Sequence, residues 1–264
     1  VDLELAGKKA IITGGSRGIG KAIALELASE GVDVAICSRS QETLEISAKE
    51  IRDKTGQNVF CLVTDTTDDS SVANFIKYSA EKLGSIDILV NNAAAPGGLV
   101  MGDIEDANPD ELLLDINTKI VGYLRVAKQV VPYMTNRNWG RIINIGGLAA
   151  RSGGTISGMR NIALSHFTKT LSNQLGPKGI TVNIVHPGAT RTEQTESSQA
   201  SKAKESGTTI SEIERQTTSN IDIRRIVDST EIAYLVAFLA SGKAGAITGE
   251  SIAAGGGVGS AVFT

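Results

Sequence analysis

The chain is short of the residue types that would take it away from ordinary globular enzymes. It has two cysteines in 264 residues, Cys37 and Cys61. That leaves no disulfide framework, and both sit in apolar strand-like runs, as reduced buried thiols of a cytoplasmic protein do. Its two histidines, His166 and His186, have no cysteine or carboxylate at ligand spacing, so no metal site is expected. No apolar run approaches the ~20 residues a membrane helix needs. Asp2, Glu4, Lys8 and Lys9 break up the first segment, against a signal peptide. The net charge is -3 with acids and bases interspersed, so no basic stripe is available for nucleic acid. Tyrosine is scarce too: Tyr78, Tyr123, Tyr133 and Tyr234 are the only four, and none falls between Met134 and Ala233.

What the chain does have is alternation. Short apolar runs at Ala10–Ile12, Val32–Cys37, Val59–Val63, Ile86–Val90, Arg141–Ile145, Ile180–Val185 and Ser251–Ala254 are separated by helical stretches. The helices are expected at Lys21–Ser29, on to Ile51 after the second strand, at about Ser70–Leu83, and at about Ile156–Leu175. Strands apolar throughout are those of a parallel sheet covered on both faces. The length suits one α/β domain over residues 1–264, doubly wound, with helices on both faces of the sheet. One segment breaks the rhythm. From about Thr190 to Asp222, and in its widest extent 190–226, Ser, Thr, Glu, Gln and Lys dominate, which predicts a polar lid or a solvated insertion.

Thr13-Gly14-Gly15-Ser16-Arg17-Gly18-Ile19-Gly20 follows the first strand and opens the first helix. Glycines there permit a tight turn and close backbone approach, and the free N–H groups of the helix N-terminus face an anion. The context is that of a dinucleotide pyrophosphate site. After the second strand the chain reads Cys37-Ser38-Arg39-Ser40, with no acid to take a ribose 2′-hydroxyl. Arg39 and Arg17 could instead flank a 2′-phosphate, which favours NADP(H) over NAD(H); solvated surface arginines are the alternative.

The Thr-Gly-x-x-x-Gly-x-Gly spacing resembles that of the short-chain dehydrogenase/reductase family, and the resemblance runs along nearly the whole chain. It implies a Rossmann-like, mainly parallel seven-stranded sheet. It places Asp65 near an adenine and aligns Asn91, Asn92, Ala93 and Ala94 with the family's N-N-A-G stretch. It sets Asn117 as the structural or catalytic asparagine, and Pro187, Gly188, Thr190 and Thr192 along the nicotinamide. Ile247-Thr248-Gly249 and Gly255-Gly256 match the C-terminal end. With Gly14, Ser16, Arg17, Gly18, Ile19, Gly20, Ser38 and Arg39, these form the expected cofactor set. The resemblance further implies a homodimer or homotetramer through the long helices, with His166 on one of them.

Family members that reduce ketones use Ser, Tyr and Lys, because a phenol beside an ammonium can protonate the alkoxide left by hydride. Here Gly146-Gly147 stands where the serine is expected. Counting back from His166-Phe167-Thr168-Lys169 puts Ser157 in the tyrosine place and Asn161 in the lysine place; anchoring on Gly147 instead gives Arg160 and Leu164. Asn117, Ser157, Arg160 and Asn161 are therefore the candidate catalytic residues, Asn161 also as a ribose ligand. Arg160 could clamp a carboxylate or an oxyanion, or be a surface or interface arginine. His186 is a candidate acid–base group or a packed histidine, and Arg151 could face a substrate anion or be a solvated loop arginine. The expected activity is an atypical NADPH-dependent oxidoreduction of a small carbonyl, enone or imine. An NADP(H)-binding protein without turnover, or a non-redox enzyme on the same scaffold, are the alternatives.

Overall fold

The computed structural model describes residues 1–151, 153 and 155–259. Seven parallel strands lie in one sheet: β1 (Lys9–Thr13), β2 (Asp33–Ser38), β3 (Val59–Val63), β4 (Ile88–Asn91), β5 (Gly140–Ile145), β6 (Ile180–Pro187) and β9 (Ser251–Ala254). Their order is β3-β2-β1-β4-β5-β6-β9. The order reverses between β1 and β4, which opens a crevice at the carboxyl ends of those strands, where ligands bind in open α/β sheets. A two-residue pair, β7 (Thr190–Arg191) and β8 (Val227–Asp228), forms apart from the main sheet.

The helices cover both faces because the strands carry apolar side chains on both. Helices α1 (Gly18–Ser29), α2 (Gln41–Thr55) and α9 (Ser229–Ala240) bury Ile23, Leu27, Leu44, Ile51, Ile232 and Val236 against one face. Helices α3 (Asp69–Leu83), α5 (Gly122–Thr135) and α6 (Met159–Leu175) bury Phe75, Val126, Val130 and Leu175 against the other. The short helix α4 (Pro109–Ile116) runs into α5 through a π-helical turn, Asn117–Val121. Such turns shift the register of side chains and recur at functional sites.

The polar segment after β6 has regular structure. It folds as two helices, α7 (Glu193–Glu205) and α8 (Ile210–Thr218). Both start at threonine caps: Thr192 accepts from the N–H of Thr195 and Thr209 from that of Glu212. A hydroxyl at this position satisfies a backbone donor that would otherwise be orphaned. Of the two thiols, Cys37 is buried, where desolvation pushes it up to about 12, whereas Cys61 is only partly covered.

Candidate functional site

The glycine turn is clamped between β1 and β4. Thr13 Oγ1 accepts from the N–H groups of Asn92 and Ala93 at 3.0 and 3.1 Å. Asn92 Nδ2 donates to the carbonyls of Thr13 and Gly14 at 3.2 and 3.0 Å. Gly14 takes φ +66°, a conformation that favours glycine. A Cβ on Gly20 would lie 2.1 Å from the Gly14 carbonyl oxygen, so the helix can start here only without a side chain. Ser16 is tied down through its carbonyl, which accepts from Ser47 Oγ at 2.6 Å. These contacts leave the start of α1, with Ile19 behind Gly18, facing the crevice. The Gly18 N–H donates to the Glu193 carboxylate at 3.1 Å, which brings α7 over the turn.

The other expected cofactor residues gather around the same crevice. Arg17 and Arg39 are exposed on the loops following the adjacent strands β1 and β2, and neither makes an ion pair or side-chain hydrogen bond among the described residues. Ser38 Oγ donates to the Ser40 carbonyl. Asp65 accepts from Thr67 at the end of β3. Asn91 donates to Asn144, which donates to Thr168; the buried Asn91 Oδ1 has no partner. Pro187 ends β6, Gly188 packs closely on Gly255, and Thr190 Oγ1 donates to the Gly188 carbonyl. The cradle a Cβ would fill, two uncommitted guanidinium groups and no carboxylate after β2 fit a phosphorylated dinucleotide.

The four expected catalytic side chains lie in different surroundings. Asn117 accepts from Arg125, which also holds the Thr66 carbonyl and Asp69, so it faces the α3 side. Ser157 is fully buried beneath the loop after β4, its Oγ accepting from the Val100 N–H at 2.9 Å. Arg160 is neither a surface nor an open guanidinium. It is 3% exposed, ion-paired with the fully buried Asp115, and donates to the Ala95 carbonyl, while its Nε has no partner. Asn161 lies beside Gly147: a Cβ built on Gly147 would be 3.2 Å from Asn161 Nδ2.

The residue that joins Asn161 there is Lys119, which residue identity alone hides behind Asn117. Lys119 Nζ donates to Asn161 Oδ1 and to the Gly146 carbonyl, each at 2.9 Å. Burial and the positive Arg160 lower it to about 7, with Asp115 opposing. A signal is present in the chain: Asp115, Lys119 and Tyr123 recur at intervals of four and are all buried. Tyr123 is no substitute proton donor, since its hydroxyl donates to the Ile145 carbonyl and desolvation raises its pKa.

His186 lies under Gly147, 1% exposed. Ser165 Oγ lies 3.0 Å from His186 Nε2 and 3.2 Å from the Asn161 carbonyl, and Nδ1 lies 3.1 Å from both the N–H and the carbonyl of Gly147, so the tautomer decides which ring nitrogen donates. Burial depresses this histidine to about 4, so it is neutral and packed. Its charge state links folding to pH. The unfolded chain takes a proton near pH 6.5, but the folded chain takes one only near pH 4. Stability from this group is complete above about 6.5 and falls by about 3 kcal/mol as pH drops to 4. Melting curves of the parent and a His186→Gln variant between those values test this. Parallel curves would show that His186 does not set the dependence. Arg151 donates to the Ser251 carbonyl at the edge of a cleft lined by Leu148, Asp222 and the 253–259 turn. Among the described residues no cluster of His, Cys, Asp or Glu could hold a metal, and no helix is long and apolar enough to cross a membrane.

Comparison with known proteins places this geometry among reductases. A family model described as enoyl-(acyl carrier protein) reductase matches residues 14–259. The chain is 34% identical over 254 residues to the NADPH-dependent reductase BacG of Bacillus subtilis, covering 95% of this chain and 97% of that protein. It is 34% identical over 262 residues to the 3-oxoacyl-[acyl-carrier-protein] reductase FabG of Vibrio harveyi, covering 97% and 99%. Among solved structures, L-sorbose reductase from Gluconobacter frateurii, complexed with NADPH and L-sorbose, superposes with a TM-score of 0.93 at 27% identity and covers 98% of each chain.

Proposed function

Because the chain belongs to the short-chain dehydrogenase/reductase family, we propose that residues 1–264 form one NADP(H)-binding oxidoreductase domain acting on a small carbonyl, enone or imine. The observation that carries the reading is the glycine cradle at the crevice with Arg17 and Arg39 beside it and no acid after β2. When bound, NADPH supplies a hydride to the acceptor carbon. Gly14, Ser16, Gly18, Ile19 and Gly20 would line the pyrophosphate. Ser38, Arg17 and Arg39 would hold the 2′-phosphate, and Asp65, Asn91 and Ala93 the adenosine side. Asn161, Pro187, Gly188, Thr190 and Thr192 would border the nicotinamide half. Helices α7 and α8 serve as the lid, since Thr192 and Glu193 already reach Gly18.

The reading is atypical in its proton supply. No tyrosine occurs from Met134 to Ala233, Gly147 has no hydroxyl, and Ser157 is occupied by Val100. The side chains left beside Gly147 offer hydrogen-bond donors rather than a phenolic proton. Such a site suits an acceptor already activated toward hydride: an iminium needs no proton at the carbon, and an enone needs carbonyl polarisation and a water. The burial of Ser157 also favours a second reading, an NADP(H)-binding protein without turnover. Exposed Leu113, Leu114, Leu124, Met159 and Ile162 on α4, α5 and α6 support assembly as a homodimer or homotetramer.

Calorimetric titration tests the cofactor half. NADPH is expected to bind at least tenfold more tightly than NADH. Arg39→Ala is expected to weaken NADPH by roughly 10- to 100-fold, the range of a charged hydrogen bond, and to leave NADH unchanged. Equal loss for both nucleotides would detach Arg39 from the 2′-phosphate. Oxidation of NADPH dependent on a carbonyl, enone or imine separates the oxidoreductase from the silent binding protein.

A further inference from the structure

Lys119 is the only fully buried lysine among the described residues, and the only carboxylate near it is committed elsewhere. Asp115 pairs with Arg160, so the Lys119 ammonium makes its contacts with two neutral oxygens, the Gly146 carbonyl and Asn161 Oδ1. Holding a charge this way is costly, and a methionine would fill similar space without that cost. The ammonium nevertheless does something a methionine cannot. It is a donor only, with no acceptor capacity, so it accepts one orientation of the Asn161 amide and refuses the other. Oδ1 must face Lys119, and Nδ2 must face away.

The far side faces Gly147. Asn161 Nδ2 lies 3.2 Å from the point where a Cβ on Gly147 would begin and is the nearest atom to it. Beneath Gly147, the neutral His186 ring holds the backbone. Ser165, one turn on in the same helix, ties that helix to β6 through its contact with His186 Nε2.

We propose that Lys119 is a positioning residue, which locks the Asn161 amide so that its Nδ2–H bonds are presented to a carbonyl oxygen of the substrate over Gly147. The inference rests on the oxidoreductase reading for the identity of that oxygen. Neither Lys119 nor Asn161 makes or breaks a covalent bond in this role. Preorganised N–H donors of this kind stabilise the negative charge that develops on such an oxygen.

The groups facing Lys119 determine its pH behaviour. They are Asp115 from α4, Arg160 from α6, the hydroxyl of Tyr123 from α5 and His186 from β6. Asp115 and Arg160 are an ion pair, His186 is neutral above about pH 4, and Tyr123 stays protonated. Lys119 is therefore the group that changes charge near pH 7. Once deprotonated it can accept as well as donate, and the constraint on Asn161 relaxes.

The experiment is a pH titration of the whole protein labelled with 15N in its asparagine side chains, with Asn161→Asp used to assign the Asn161 amide signals. The parent is expected to show the Asn161 Nδ2 pair shifting with a midpoint near 7 between about pH 6 and pH 9. In Lys119→Met the shift should vanish over the same range. A pair that does not titrate in the parent, or that titrates equally in Lys119→Met, overturns the inference. The parent titration stands by itself should the variant not fold. With any acceptor that turns over, Lys119→Met should lower kcat by about tenfold with the NADPH Kd held within about threefold, less than the roughly 10²-fold cost of losing an oxyanion donor outright. A change in NADPH affinity without a change in kcat overturns the positioning role. Absence of turnover in the parent would refute the oxidoreductase reading, and the titration alone would then decide whether the lysine–asparagine lock exists.

Discussion

A Gly20→Ala variant is expected to lose NADPH binding by more than tenfold and to melt about 5–10 °C below the parent. The added Cβ would sit 2.1 Å from the Gly14 carbonyl oxygen, 2.9 Å from its carbon and 2.4 Å from Asn92 Nδ2. Two of those atoms are backbone, so no side-chain rotation relieves the contact. The turn itself has to move, and with it the Asn92 bridge that ties β1 to β4. Overpacking typically costs about 1–3 kcal/mol, and about 2–4 °C accompanies each kcal/mol in a chain of this size. The loss of binding follows from the same displacement, because the N–H groups at the start of α1 serve a phosphate only if they converge. Gly102→Ala is the matched control, since a Cβ there meets nothing within 4 Å. Calorimetry and thermal melting of the three proteins decide the point. Retained NADPH affinity in Gly20→Ala would mean that the cofactor does not use this turn.

The sheet and its glycine turn were legible because each depends on local rules. Strands buried on both faces must be apolar throughout, so the runs at Arg141–Ile145 and Ile180–Val185 mark the fully buried β5 and β6. Helices α7 and α8 were not legible from periodicity, because their stability comes from caps and charges rather than an apolar stripe. Thr192 and Thr209 were the available sign. The surroundings of the candidate catalytic residues were hidden for a different reason. Residue identity draws attention to Asn117, but the π turn over Asn117–Val121 decides which side chain faces β5, and that side chain is Lys119. Arg160 looks like a free cation because its partner, Asp115, is 45 residues earlier in the chain. Pairings at that separation are set by topology, which no local window contains.

That buried pair gives the second large effect. Asp115→Ala is expected to destabilise the protein by about 3–5 kcal/mol, the usual result of stranding one charge of a buried pair. At about 2–4 °C per kcal/mol this is a fall of roughly 6–20 °C in Tm. Asp115 is 0% exposed and Arg160 3%, so water cannot replace the lost carboxylate. The Arg160 Nε already lacks a partner, which leaves the guanidinium only the neutral Ala95 carbonyl. The Leu99 N–H, which donates to Asp115 Oδ2, loses its acceptor too, and the loop that covers Ser157 loosens with it. Removing the charge from both partners tests the cause. In Asp115→Ala/Arg160→Met the stranded guanidinium is gone, and most of the lost stability should return, because an apolar replacement of a buried pair is often neutral. The single variant carries a second signature. Asp115 raises the Lys119 pKa while Arg160 lowers it, so deleting the acid alone moves the Lys119 titration below 7. The Asn161 amide signals should then titrate at lower pH in Asp115→Ala, and the midpoint should move back up in the double variant. A loss of less than about 1 kcal/mol in Asp115→Ala would place the pair among the weak surface ion pairs and remove it as the support of this side of the site.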